Sequence, residues 1–111
     1  LYHLHTEGPM PIFEPACAGR IRSVSMFTGA AARTAVAEDR ADFMPIFLSD
    51  IAYLFQTRRV PLDVAIVQVT PPDRHGWCSL GTSIDCSRAA FENARIVIAE
   101  INERVPRTRG E

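Results

Sequence analysis

The sequence contains no apolar run approaching the roughly 20 residues that a helix needs to cross a bilayer, and no signal-peptide pattern. Neither sign of charge is in large excess: 12 basic residues stand against 13 acidic ones, a formal charge of −1. That balance lacks the electrostatic footprint of a nucleic-acid or membrane-surface binder, so neither is an expected partner, although a local arginine cluster can still hold a small anion. Cysteine is scarce, and Cys17, Cys78 and Cys86 form an odd set without a CxxC pair. No disulfide framework and no metal site are expected; reduced thiols in the cytoplasm are the simplest reading. Internal repeats and low-complexity tracts are missing. So are GxGxxG and Walker patterns, which weakens any nucleotide-binding reading.

What is present suits a packed globular core: 111 residues, 47% hydrophobic and 23% charged,. The chain opens on Leu1-Tyr2-His3-Leu4-His5, which reads as a strand already under way without an initiator Met. It stops on the polar Arg107-Thr108-Arg109-Gly110-Glu111. Domains usually begin and end in linker, so the expectation is a fragment of something larger.

Strand-like and helix-like stretches alternate. Gly8-Pro9-Met10-Pro11 breaks regular structure, and a short helical turn follows around Pro15 to Gly19. Ile21 to Phe27 alternates imperfectly and reads as a strand. The alanine-rich stretch Gly29 to Arg40 reads as a helix with Thr28 as N-cap. Asp42 to Phe47 reads as a strand, with Pro45 marking an edge or an end. Ser49 to Thr57 reads as a helix capped by Ser49, with Ile51, Leu54 and Phe55 on one face. Leu62 to Val69 is the clearest strand; Val64-Ala65-Ile66-Val67 is apolar on both faces, as in a central parallel strand covered on both sides. A loop over Pro71 to Gly76, a short return from Trp77 to Leu80, a helix from Asp85 to Arg95 and a strand from Ile96 to Ile101 complete the pattern. The expected fold class is α/β: an open, mostly parallel sheet with helices on both faces, residues 1–111 forming a single but incomplete unit.

The loop after the strongest strand holds most of the chemistry, because open α/β sheets place ligands outside the C-terminal ends of their strands. Asp73, Arg74, His75, Cys78 and Ser79 fall within a few residues. His75 can carry a proton or donate to a ligand carbonyl; alternatively the loop is a rigid turn, with Asp73 accepting backbone amides and His75 merely solvated. A Cys78–His75 nucleophilic pair is disfavoured, since side chains at odd spacing in an extended segment point apart. Thr28-Gly29 is either a cap and turn or an anion site at a helix N-terminus, with Arg33 nearby. His3 and His5 share a face of the opening strand but lack a third ligand. Arg104, Arg107 and Arg109 form a basic cluster that suits carboxylates, or an ordinary basic loop.

Four stretches resemble the family of 4-hydroxybutyrate CoA-transferase, acetate CoA-transferases and acetyl-CoA hydrolases. They are Leu1 to Gly8 (LYHLHTEG), Phe27-Thr28-Gly29 with Arg33, Phe47-Leu48-Ser49-Asp50-Ile51, and Pro71 to Gly81 (PPDRHGWCSLG). Ile101 to Gly110 (INERVPRTRG) is similar to the family's Asn-x-x-Met-Pro-Arg-Thr-x-Gly stretch, with Val105 in place of Met.

That resemblance implies a two-domain enzyme with its active site between the halves, this chain being the latter part of the N-terminal half. It implies transfer of coenzyme A from an acyl-CoA to a small carboxylate through a glutamyl-CoA thioester. Coenzyme A enters as substrate, and no cofactor is permanently bound. The attacking glutamate would lie in the C-terminal half, beyond Glu111, so no catalytic residue is expected here. Glu7, Glu92, Glu100 and Glu103 would be structural or solvent-facing, and the fragment alone inactive. The candidate substrate-binding residues are Arg107, Thr108, His75, Gly76, Ser79 and Gly29, with Arg107 pairing a carboxylate. Exposed apolar surface on an incomplete sheet would favour a homo-oligomer. Acetyl-CoA hydrolysis and a non-catalytic small-anion-binding α/β module are the alternatives.

Overall fold

Two runs of parallel β-structure, each with its own helices, make up the protein; the computed structural model describes residues 1–6, 8–82 and 84–109. The chain divides into two compact units, Leu1–Ile46 and Phe47–Glu111. Parallel strands alternating with helices in an unclosed arrangement place it in the expected α/β class,.

In the first unit, β1 (Tyr2–His3), β2 (Ser23–Ser25) and β3 (Ala41–Phe43) form a parallel sheet in that order. Its centre is built from small residues. Ser23 and Ser25 are fully buried on β2, and α1 (Ala30–Ala37) buries Ala32 and Ala35 near the buried Ala41 of β3. Alanine lets a helix lie close to a sheet at little side-chain entropy cost. The C-terminus of α1 closes as a Schellman motif: Arg40 N donates to Ala35 O at 2.8 Å and Asp39 N to Val36 O at 3.2 Å. Asp39 takes the left-handed conformation, φ 56°, that this motif demands,. Arg22 then forks onto Asp42 with two bonds of 2.7 Å and reaches Asp39 Oδ1 at 3.1 Å.

Several boundaries differ from the expected ones for local reasons. Thr28 does not cap α1; Gly29 occupies that position, and Thr28 Oγ1 donates to Ser25 Oγ at 3.4 Å. β3 stops at Phe43, and its last bond to β2 is Met44 N to Ser25 O, because Pro45 has no N–H to continue the ladder,. In the second unit α2 (Leu48–Gln56) begins one residue before Ser49, which therefore sits inside the first turn and bonds Asp50 instead of capping.

In the second unit, α2 buries Ile51 and Phe55, four residues apart on one face,. Each such side chain contributes about 1.5–3 kcal/mol on burial. β4 (Leu62–Val69) pairs in parallel with β5 (Ala94–Ile101), from Leu62↔Ala94 to Val69↔Ile101. The helix between them, α3 (Ser87–Asn93), is shorter than Asp85 to Arg95 because this register draws Ala94 and Arg95 into the ladder. No strand forms over Trp77 to Leu80.

β4 is covered on one face rather than two. Ala65, Val67 and Val69 are buried, and α3 packs against the strand. On the other face Ile66 is 68% exposed and its partner Ile98 50%, flanked by Val64 and Ile96. The doubly apolar pattern of β4 thus leaves an open apolar sheet face within this unit.

Candidate functional site

The loop after β4 starts from two prolines, whose missing N–H groups leave Pro71 and Pro72 unable to join a ladder as donors,. Side chains and tight turns order it instead. Asp73 Oδ1 accepts the amides of His75 (2.8 Å) and Trp77 (3.0 Å), while Asp73 N donates to Trp77 O at 2.9 Å. Gly76 supplies the left-handed turn, φ 82°, and its amide donates to Asp73 O,. Those two amides first, and Arg107 after them, hold the Asp73 carboxyl below its ordinary range,. Further along, the loop returns on its own start: Thr70 N donates to Ser79 O and Ser79 N to Thr70 Oγ1, both at 2.9 Å.

The segment after β5 fastens this loop. Asn102 N donates to Val69 O at 2.9 Å, and the turn Asn102–Val105 closes through Val105 N to Asn102 O. Arg107 then crosses the loop. Its Nη2 donates to Pro71 O at 2.8 Å and Trp77 O at 2.9 Å, and Nη1 lies 3.8 Å from Asp73 Oδ2. One residue on, Thr108 Oγ1 donates to Gly81 O at 2.9 Å. The Ser79 and Thr108 hydroxyls lie 3.0 Å apart, and the Ser79 hydroxyl also donates to Thr108 O at 3.2 Å,. Ser79 Oγ also accepts from Gly81 N (3.1 Å) and Thr108 N (3.3 Å).

Five of the six residues singled out from the sequence therefore meet in one constellation: His75, Gly76 and Ser79 on the loop, Arg107 and Thr108 on the segment that holds it. They divide by role. Ser79, Arg107 and Thr108 are engaged with protein groups, whereas His75 and Gly76 stand on the exposed crest. His75 Nε2 accepts from Arg74 Nε at 2.9 Å. Trp77 has its backbone tied on both sides and its side chain facing solvent, 72% exposed. Cys78 is exposed, and Cys86 is buried with its thiol pushed up to about 11 by burial and by Asp85. A groove of about 290 Å³ adjoins the fastening, lined by Ile66, Gln68, Leu80, Arg104, Val105 and Pro106.

The sixth residue, Gly29, lies in the first unit at the start of α1. It borders a hollow of about 40 Å³ with His3, His5, Thr6, Phe13 and Phe27. His3 is a structural residue: Nε2 meets Ser23 Oγ at 2.7 Å, the ring leans on Phe13, and burial lowers its pKa. His5 packs on Phe27, and β1 ends at His3, so the two histidines do not share a strand face. Among the described residues no group of three or more His, Cys, Asp or Glu can hold a metal ion. Glu92 pairs with Arg88 at 2.8 Å, Glu100 accepts from Gln68 at 3.3 Å, and Glu103 is exposed. Glu7, Gly110 and Glu111 lie outside the described residues.

Thr70, Gly81 and Val105 were not among the candidate substrate-binding residues, yet they shape the site. The glycine ending Ser79-Leu80-Gly81 was the available signal, since an isolated glycine after an apolar residue often marks close backbone approach.

Residues 13–111 match the acetyl-CoA hydrolase/transferase N-terminal domain. The chain belongs to this family. Among acetyl-CoA hydrolase/transferase relatives, a succinyl-CoA:acetate/propanoyl-CoA:succinate CoA transferase of Fasciola hepatica is 51% identical over 111 residues, which is 100% of this chain and 23% of that protein. The 4-hydroxybutyrate coenzyme A transferase of Clostridium kluyveri is 44% identical over 90 residues, 81% of this chain and 21% of its own length. The crystal structure of RipA from Yersinia pestis superimposes with a TM-score of 0.83 at 27% identity, covering 98% of this chain and 27% of RipA. The chain thus spans less than a quarter of either curated relative.

Proposed function

We propose that this chain is part of an acyl-CoA:carboxylate CoA-transferase and forms one wall of its cleft, the attacking glutamate coming from polypeptide outside residues 1–111. The observation that carries this reading is the position of the 70–81 loop. It leaves the C-terminal end of β4 and is held in one shape, in a chain whose relatives transfer coenzyme A between carboxylates,.

The chemistry splits one difficult transfer into easier steps. The glutamate carboxylate attacks the thioester carbonyl, the CoA thiolate leaves, and a mixed anhydride forms. The thiolate then attacks the glutamyl carbonyl of that anhydride, releasing the first carboxylate and leaving a glutamyl-CoA thioester. An incoming carboxylate reverses both steps and departs as the new acyl-CoA. Coenzyme A is substrate throughout. In this scheme His75 and the Gly76 turn border the acyl side of the cleft, where an imidazole can donate to a carbonyl oxygen as charge develops on it. Gly29 is given no part in the transfer.

Mass mapping of the full-length protein after exposure to acetyl-CoA without acceptor tests the assignment. A CoA thioester on a glutamate outside residues 1–111 is expected. An adduct on Cys78, or on any other residue of this chain, overturns it. The family also contains hydrolases; release of free CoA without a carboxylate acceptor, as fast as transfer with one, would select hydrolysis. The open Ile66–Ile98 face motivates self-association into a homo-oligomer, and a full-length protein that sediments as a monomer removes that part.

A further inference from the structure

We infer that Arg107 is a positioning residue for the 71–77 loop and not the group that binds the substrate carboxylate; this rests on the transferase reading above. Recognition of a carboxylate by arginine draws its geometry from two parallel N–H donors of the guanidinium fork. In this protein that fork is already engaged. Both protons of Nη2 point at carbonyls, Pro71 O and Trp77 O, and Nη1 faces Asp73 Oδ2. The carbonyls belong to the two ends of one short loop, so a single guanidinium ties its entry to its exit. The prolines supply the reason. Pro71 and Pro72 cannot donate to a neighbouring strand, and the Pro71 carbonyl finds its donor on a side chain,.

The backbone of Trp77 is held from both sides: its amide by Asp73, its carbonyl by Arg107 and by the Asp73 amide. What this arrangement fixes is the attitude of His75, Gly76 and Trp77 toward a ligand. Arg107 works through them, and Asp73 works with it.

The two roles predict opposite kinetics in the full-length enzyme. As a positioning residue, Arg107→Met lowers kcat on the order of 10–100-fold, since a misplacement near 1 Å costs that much. The carboxylate KM then moves by less than about threefold, because no ground-state contact to the acceptor is lost. Asp73→Ala reproduces this signature. If Arg107 bound the acceptor, Arg107→Met would raise the carboxylate KM, and Asp73→Ala would lower it by removing a competing carboxylate. The milder Arg107→Lys keeps the charge but cannot bridge both carbonyls, and is read in the same way should Arg107→Met not fold. A KM that rises by more than kcat falls, in any folded variant at Arg107, overturns the inference. So does a lowered KM in Asp73→Ala. If the wild-type enzyme transfers no CoA, it is the transferase reading that fails. Hydrogen exchange then decides the positioning role: Arg107→Met accelerates exchange of the His75, Gly76 and Trp77 amides if Arg107 orders the loop, and leaves it unchanged if it does not.

Discussion

A Cβ placed on Gly81 would lie 2.3 Å from Val105 Cγ1 and 3.3 Å from the Pro106 carbonyl oxygen. Gly81 also has φ 71°, so two independent constraints reserve the position for glycine. The close approach brings the segment after β5 within reach of the loop, where Thr108 can accept and donate across it.

Gly81→Ala should therefore destabilise the protein by about 2–4 kcal/mol, combining the left-handed penalty with overpacking. Denaturant unfolding of the full-length protein checks this. Adding Val105→Ala removes Cγ1 and should recover part of the loss, leaving the φ strain. A double variant no more stable than Gly81→Ala would show that the contact with Val105 contributes little.

Ser79 and Thr108 share one hydroxyl pair, so their contributions are coupled. Ser79→Ala removes the partner of the part-buried Gly81 amide, and Thr108→Val removes the partner of the part-buried Gly81 carbonyl. Each should cost about 1–3 kcal/mol. The double variant should cost less than the sum, since the shared bond is lost once. Additive losses would mean that the two hydroxyls act separately.

Asp73 has a folded-state pKa below its ordinary value of 3.8. Its contribution to loop order is thus fully present above pH 3.8 and is lost as pH falls through the lower folded value. Protonation withdraws the acceptor from the His75 and Trp77 amides. The chemical shift of the Trp77 amide should report a midpoint below pH 3.8, and a midpoint at or above it would contradict the pairing.

Thiol reactivity should separate the cysteines. Cys78 is exposed, while Cys86 is buried and pushed up to about 11. Alkylation by iodoacetamide near neutral pH should modify Cys78 first and Cys86 last, because the thiolate is the reactive form and must be reachable. Faster labelling of Cys86 would place that thiol in a different environment.

The α/β class, the order of the longer elements and the location of the loop could be read from residue pattern alone. Leu62 to Val69 is the strand expected to the residue, because hydrophobic content and β-branching act locally. Asp73 as an acceptor of backbone amides was likewise legible, since an Asx turn is written within five residues,. Element ends were less so: Ala94 and Arg95 favour a helix by propensity but are claimed by pairing with a strand 32 residues earlier.

Sequence by itself determined which chemical groups this protein carries and that they cluster after β4. Only the tertiary structure decided which groups each one bonds. Arg107 looked free to hold a carboxylate because its partners lie 30 to 36 residues away. The fold brings Pro71 and Trp77 beneath it and spends the guanidinium fork on their carbonyls. Long-range hydrogen bonds leave no periodic trace in a chain, so the difference between binding a ligand and shaping the loop that meets it arises on folding.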